Sequence, residues 1–159
     1  MTHRRLDRQR PCYRIGDPDG RFPIFDARGS TLVAGRWHGP PAAVLYTSEH
    51  QSTAMLETLA NGGGLIPPNQ HMVEIILPAG VSYEVFQPAA HSGWDDIDSG
   101  VARRFGMRWL SEGRSLALFV PSALAPLDSN VLINPVHPEF ERVEAGLETP
   151  VHWDRRLFP

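Results

Sequence analysis

Fourteen glycines and fifteen prolines are scattered along the 159 residues, so no stretch can run far before a turn interrupts it. Such a chain folds into short strands and short helices joined by many tight loops. Gly16–Gly20, reading GDPDG, is a turn by residue chemistry alone. The glycines and prolines of Asn61–Asn69 stop any helix that reaches them.

Between these breaks the apolar pattern is readable. Pro11–Ile15 and Ala43–Thr47 read as strands. After the second, Ser48 and Gln51 have the spacing of a capping box, and Gly62 can supply a left-handed stop. A helix is predicted between them, over about Glu49–Ala60, with Met55 and Leu59 one turn apart on its buried stripe. Met72–Leu77 and Val81–Phe86 form a pair of strands around Pro78-Ala79-Gly80. A second helix covers Asp95–Ser111, with Val101, Phe105 and Trp109 on its core side. Ser115–Val120 and Val131–Asn134 are further strands, and the C-terminal VHWDRRLF is read as a last one. Short strands alternating irregularly with helices imply an α+β fold around an antiparallel or mixed sheet.

The length suits one domain, residues 1–159, and a domain of this size buries roughly 70% of its unfolded surface. One cysteine, Cys12, excludes an internal disulfide and suits a reducing compartment, so a cytoplasmic location is expected. The basic start, MTHRRLDRQR, is not followed by the apolar run of a signal peptide, and residues 1–11 are expected as a flexible extension. No segment approaches the roughly 20 apolar residues that span a bilayer. A formal net charge of −3 lacks the footprint of a nucleic-acid-binding protein.

Common catalytic motifs are missing. Gly62–Gly64 are not followed by Lys-Ser/Thr, so there is no phosphate-binding P-loop. No G-x-S-x-G elbow occurs, the seven histidines show no H-E-x-x-H, and a lone cysteine denies a zinc cluster; no metal is expected.

Four segments remain: Gly35-Arg36-Trp37, Leu45-Tyr46-Thr47-Ser48, Ala54-Met55-Leu56-Glu57, and Val120-Pro121-Ser122 with the later run Asn130–Pro138. In order and spacing they resemble the RES family, whose members read G-R-W-N, an L-Y-T/S strand, A-x-x-E on a helix, V-P-S, then N-x-L-x-N-P-x-H-P. The resemblance runs from about Tyr13 to the C-terminus. His38 stands where the family usually has Asn, a change that touches the details of ligand contact.

The resemblance implies an ADP-ribosyltransferase-like core of two small antiparallel or mixed sheets with flanking helices, and NAD⁺ as substrate. It implies a site of Arg36, Tyr46, Glu57 and Ser122, with Arg36, Trp37, Tyr46 and Ser122 contacting NAD⁺. It further implies a bacterial toxin held in check by an Xre-type helix-turn-helix antitoxin that covers the site, with self-association inside that complex. The acceptor of ADP-ribose is left open between water, phosphate and a protein side chain, the last including an enzyme of nucleotide metabolism. A non-catalytic binding module is the remaining alternative.

These residue types suit the chemistry. Nicotinamide departs from NAD⁺ as a neutral ring, so no general acid is required, and positive charge grows on the ribose. An arginine such as Arg36 grips phosphate with a planar fork, and Tyr46 offers a flat face and a hydroxyl at the rim. Glu57 supplies the anion, and Ser122 suits a ligand or water positioner better than a nucleophile. By residue chemistry alone each has a plainer reading: Arg36 an exposed turn residue, Tyr46 a core aromatic, Glu57 a solvated helix position, Ser122 a cap. Asn130, Asn134 and His137 read as loop-shaping residues.

Overall fold

The computed structural model describes residues 4–159. Among the described residues eight strands and two α-helices follow one another as β1 (Arg4–Arg5), β2 (Arg10–Gly16), β3 (Leu45–Ser48), α1 (Gln51–Asn61), β4 (His71–Leu77), β5 (Ser82–Val85), α2 (Gly100–Glu112), β6 (Ala117–Pro121), β7 (Ser129–Ile133) and β8 (Glu144–Pro150). The fold is α+β, as the alternation of short elements implies. The strands lie in the order β1-β5-β6-β7-β3-β2-β4-β8, and every pairing is antiparallel except β5 with β6.

The expected pair of small sheets is one sheet with a narrow joint. β2 meets β3 through a single residue pair, Tyr13 with Ser48. On one side of the joint β2 pairs with β4 along its whole length. On the other side β3 pairs with β7 over four positions. A single residue pair makes this the thinnest seam of the sheet, and a cleft lies here, lined from both β2 and β3.

Two apolar clusters cover the two faces. Cys12, Val73, Ile75, Leu77, Phe119 and Ile133 belong to the first. Trp37, Phe86, Trp94, Trp109, Leu118 and Leu132 belong to the second. β6 explains the unbroken run Ala117–Val120: Ala117 and Phe119 enter one cluster, Leu118 and Val120 the other, as expected of a strand buried on both faces. On α2, Trp109 is fully buried and Val101 and Phe105 pack half-buried beside it. The helix starts at Gly100, later than expected, because Ser99 takes a left-handed conformation with φ 58°.

Several expectations are corrected. Met72–Leu77 and Val81–Phe86 do not pair: β4 lies between β2 and β8, while β5 lies between β1 and β6. The C-terminal VHWDRRLF is no strand, because Asp154 caps a 3-10 turn over Arg155–Leu157. The last strand is instead Glu144–Pro150, exposed along its length and held by backbone pairing to β4. Without a buried face it carries no alternation to read.

The basic N-terminus differs as well. Residues 1–3 of the expected extension lie outside the described residues, but Arg4 and Arg5 pair with Tyr83 and Ser82. Leu6 is buried and Arg5 donates to the Gly80 carbonyl and to Glu139. One apolar side chain and two cross-chain bonds suffice to fix what composition marks as a solvated end.

The helix after β3 begins at Gln51 with His50 as an N-cap that makes no side-chain bond. Ser48 is therefore not the cap; its hydroxyl donates to Asn130 Oδ1 at 2.8 Å. Gly62 is not left-handed (φ −87°), and the turn is made by Gly63 and Gly64 one residue later.

Candidate active site

The cleft at the sheet joint holds about 780 Å³, within the usual range for a small-molecule site. β2 contributes Tyr13 and Arg14, β3 contributes Tyr46, Thr47 and Ser48, and the loop before β3 contributes Arg36. Its helical wall is a stripe of α1: Ala54, Glu57, Thr58 and Asn61, the i, i+3, i+4, i+7 spacing of one face. That stripe is mostly polar, so the search for apolar periodicity overlooks it. The expected apolar stripe, Met55 and Leu59, is only half-buried.

Glu57 is the fixed anion of the cleft. Its Oε1 accepts from Ser122 Oγ and from Asn130 Nδ2, each at 2.8 Å. Oε2 has no hydrogen-bond partner among the described residues. Hydrogen bonds to a carboxylate are about twice as strong as neutral ones, so two of them hold the group's orientation. Ser122 is itself fully buried and accepts from the Leu124 and Ala125 backbone N–H groups, both at 3.2 Å. It stands behind Glu57 and outside the cleft lining, not at the ligand-facing position expected of a NAD⁺ contact. Asn130, on β7, is the partner that reading it as a loop residue overlooks; it links Glu57 to Ser48.

Arg36 lines the cleft with its guanidinium held by backbone: Nη1 donates to the carbonyls of Trp94 (3.2 Å) and Asp96 (3.0 Å). Its Nε and Nη2 have no hydrogen-bond partner among the described residues. Trp37 borders the same cleft, but its indole is buried against Phe86 and Trp94 in the second core cluster. Its side chain is a packing residue there.

Tyr46 presents its ring to the cleft, and its hydroxyl turns inward rather than to the rim. Oη receives the Trp37 backbone N–H at 3.2 Å and lies 2.7 Å from His38 Nδ1. Burial pushes the phenol up to about 12, against smaller opposing effects of the Trp37 N–H and the Arg103 and Arg36 cations. Gly35 is required by this arrangement, because a Cβ there would strike the Tyr46 phenol. His38, the departure from the family pattern, is buried and touches Tyr46, not the cleft.

Two more arginines line the cleft. Arg103, on α2, donates from Nε and Nη2 to the Gly35 carbonyl at 3.3 and 3.0 Å. Arg14 donates from Nε to the Ile24 carbonyl at 2.6 Å and from Nη1 to the Tyr46 carbonyl at 2.9 Å, bracing the joint where strand pairing is thinnest. Burial draws Arg14 below the ordinary guanidinium range, partly offset by Asp26. An arginine inside a strand is itself a signal, since arginine is seldom buried without a partner.

Three guanidinium groups and one carboxylate line this cleft, a charge pattern able to pair with the anionic and with the cationic or hydroxyl-bearing parts of one ligand. The RES domain pattern matches residues 11–154, and the chain belongs to that family. It is 38% identical over 135 residues to the Prs ADP-ribosylating toxin of Sphingobium sp. (strain YBL2), covering 81% of this chain and 83% of that protein. It is 35% identical over 142 residues to Toxin Res of Pseudomonas putida (strain KT2440), covering 86% and 94%. The M. tuberculosis MbcT-MbcA toxin-antitoxin complex has a chain of the same fold, with a TM-score of 0.73 at 13% identity, covering 92% of this chain and 86% of that one.

Proposed function

We propose that the protein is a toxin that cleaves the nicotinamide–ribose bond of NAD⁺ and passes ADP-ribose to an acceptor, water or phosphate. The observation that carries this is the Glu57 carboxylate, fixed by two donors in a cleft otherwise lined by arginines. Membership of the RES domain family and the names of the two relatives support it.

Arg36 and Arg103 grip the diphosphate, Arg36 through the N–H groups its backbone contacts leave over. The Tyr46 ring forms the wall against the nicotinamide. As the C1′–N bond breaks, its electron pair moves to the ring nitrogen and nicotinamide leaves neutral. Positive charge is left on the ribose. Glu57 stabilises that charge: an anion about 4 Å from a unit cation is worth about 4 kcal/mol at an effective dielectric of 20. Expressed only in the transition state, this is about a thousandfold in rate. A lone pair of the acceptor then forms the new C1′ bond, and the acceptor's proton goes to solvent. Ser122 and Asn130 serve by holding Glu57.

A second reading has a protein side chain as acceptor, and the name of the Sphingobium relative, an ADP-ribosylating toxin, favours it. Either way an antitoxin partner is proposed, of the Xre type and covering the cleft, with self-association in the complex; the likeness to a chain of the MbcT-MbcA complex supports a partner. No described helix is long and apolar enough to cross a membrane.

Brief induction in bacteria with NAD⁺ quantified, beside Arg36→Ala and Glu57→Ala, tests this. A steep fall for the parent alone is expected. Unchanged NAD⁺ with arrested growth would replace bulk breakdown by transfer to a protein. Unchanged NAD⁺ and normal growth would refute both.

A further inference from the structure

His38 is a buried polar residue that no step of the proposed chemistry uses. Both of its ring nitrogens have a partner: Nδ1 lies 2.7 Å from Tyr46 Oη and Nε2 lies 2.7 Å from the Ser30 carbonyl oxygen. A carbonyl oxygen only accepts, so Nε2 carries a hydrogen. In a neutral imidazole the other nitrogen is then an acceptor, and the only hydrogen it can take is that of the Tyr46 hydroxyl. The Trp37 N–H completes the circuit by donating to the same hydroxyl oxygen at 3.2 Å. No carboxylate hydrogen-bonds to His38 among the described residues; the charged groups acting on its partner Tyr46 are the Arg103 and Arg36 cations.

We propose that His38 is a positioning residue for Tyr46: as the neutral Nε2–H tautomer it captures the phenol hydrogen and locks the ring as one wall of the cleft. Two consequences follow for what the cleft selects. The Tyr46 hydroxyl has no hydrogen left for a ligand, so it cannot hold a phosphate or carbonyl oxygen. The residue works through its ring face, and oxyanions are left to the arginines. Anchoring through the hydroxyl fixes the plane of the ring, which packing alone leaves free to tilt. Position 38 thus acts on ligand selection through Tyr46 without reaching the ligand.

The inference rests on the NAD⁺ reading for its kinetic arm only. In the intact chain without ligand, nitrogen-15 spectroscopy of the His38 ring near neutral pH is expected to show a protonated Nε2 and an unprotonated Nδ1. The opposite tautomer, or an imidazolium, overturns the proposal with no variant needed. Kinetically, His38→Leu removes the acceptor and is expected to raise KM for NAD⁺ about tenfold, a loss of about 1.4 kcal/mol of binding, with kcat within about threefold. His38→Asn places a carbonyl oxygen close to the Nδ1 position and is expected to keep KM within about threefold of the parent. Tyr46→Phe should match His38→Leu, and combining the two should cost no more than either alone. Equal impairment by Asn and Leu, or multiplying effects in the double variant, would show that position 38 only fills space. If the parent consumes no NAD⁺, the NAD⁺ reading fails, and the nitrogen signature still decides the tautomer.

Discussion

Replacing Ser122 by Ala tests whether the Glu57 carboxylate must be held as well as present. The substitution deletes one hydroxyl that donates to Glu57 Oε1 at 2.8 Å and accepts from Leu124 and Ala125 N–H at 3.2 Å. A hydrogen bond to a charged group contributes about 1.5–3 kcal/mol. Felt wholly in the transition state, that is about a 10- to 150-fold loss in kcat. Asn130 remains as the second donor, so the loss stays below the roughly thousandfold expected for Glu57→Gln. KM should change little, because Ser122 stands outside the cleft lining. Nicotinamide release followed chromatographically gives both constants. Thermal unfolding reports the structural cost, expected at about 2–4 °C for each kcal/mol in a chain of this size. Full activity in Ser122→Ala would refute the idea that orientation matters. A loss equal to that of Glu57→Gln would mean that Ser122 does more than hold its neighbour.

Other perturbations follow from the same contacts. Gly35→Ala drives a methyl into the Tyr46 phenol and is expected to lower stability by about 1–3 kcal/mol and to raise KM, both measurable on purified protein. Arg14→Leu leaves the Ile24 and Tyr46 carbonyls unpaired, at about 1–3 kcal/mol each, and urea unfolding should show the loss even without substrate. Alkaline pH should destabilise the fold in two stages. Burial raises Cys12 from 9.0 to about 12 and Tyr46 from 10.0 to about 12, so above each ordinary value the unfolded chain releases a proton that the folded chain keeps. Stability therefore falls with rising pH, by up to about 1.4 kcal/mol per unit for each group, from pH 9 and more steeply from pH 10. Cys12→Ala should remove most of the decline between pH 9 and 10 in denaturant titrations, and an unchanged decline would reassign it.

Much of the molecule is legible in the sequence where burial has two sides. The run Ser115–Val120 reads as a strand because both of its faces are covered, and Trp109 reads as core because its helix repeats every fourth residue. Legibility fails where the stabilising groups are backbone or polar. Glu144–Pro150 offers no alternation, since main-chain pairing to β4 alone holds it. The Leu6 anchor is too short to stand out from the charges around it. At the site, family resemblance marks Arg36, Tyr46 and Glu57, all of which line the cleft. It does not separate lining residues from those behind them, because Ser122 and His38 differ from the others by burial and hydrogen bonding, not by residue type. Arg14, Arg103 and Asn130 come to the cleft from three separate elements, a meeting that only the folded structure reveals.

The strand order also fixes when the site can exist during synthesis. β1, near the start of the chain, waits for a partner made some eighty residues later, and β2 waits for β3 and β4. Glu57 leaves the ribosome long before Ser122 and Asn130, the groups that orient it. A nascent chain therefore carries its carboxylate unaimed until the 73 residues from Glu57 to Asn130 have followed, at a translation pace of about 5–20 residues per second. For a protein proposed to consume a metabolite of the cell that makes it, that order has a practical result. On the proposed reading, the site is complete only once β7 has been made, and a chain that stops before β7 lacks the Asn130 donor that aims Glu57.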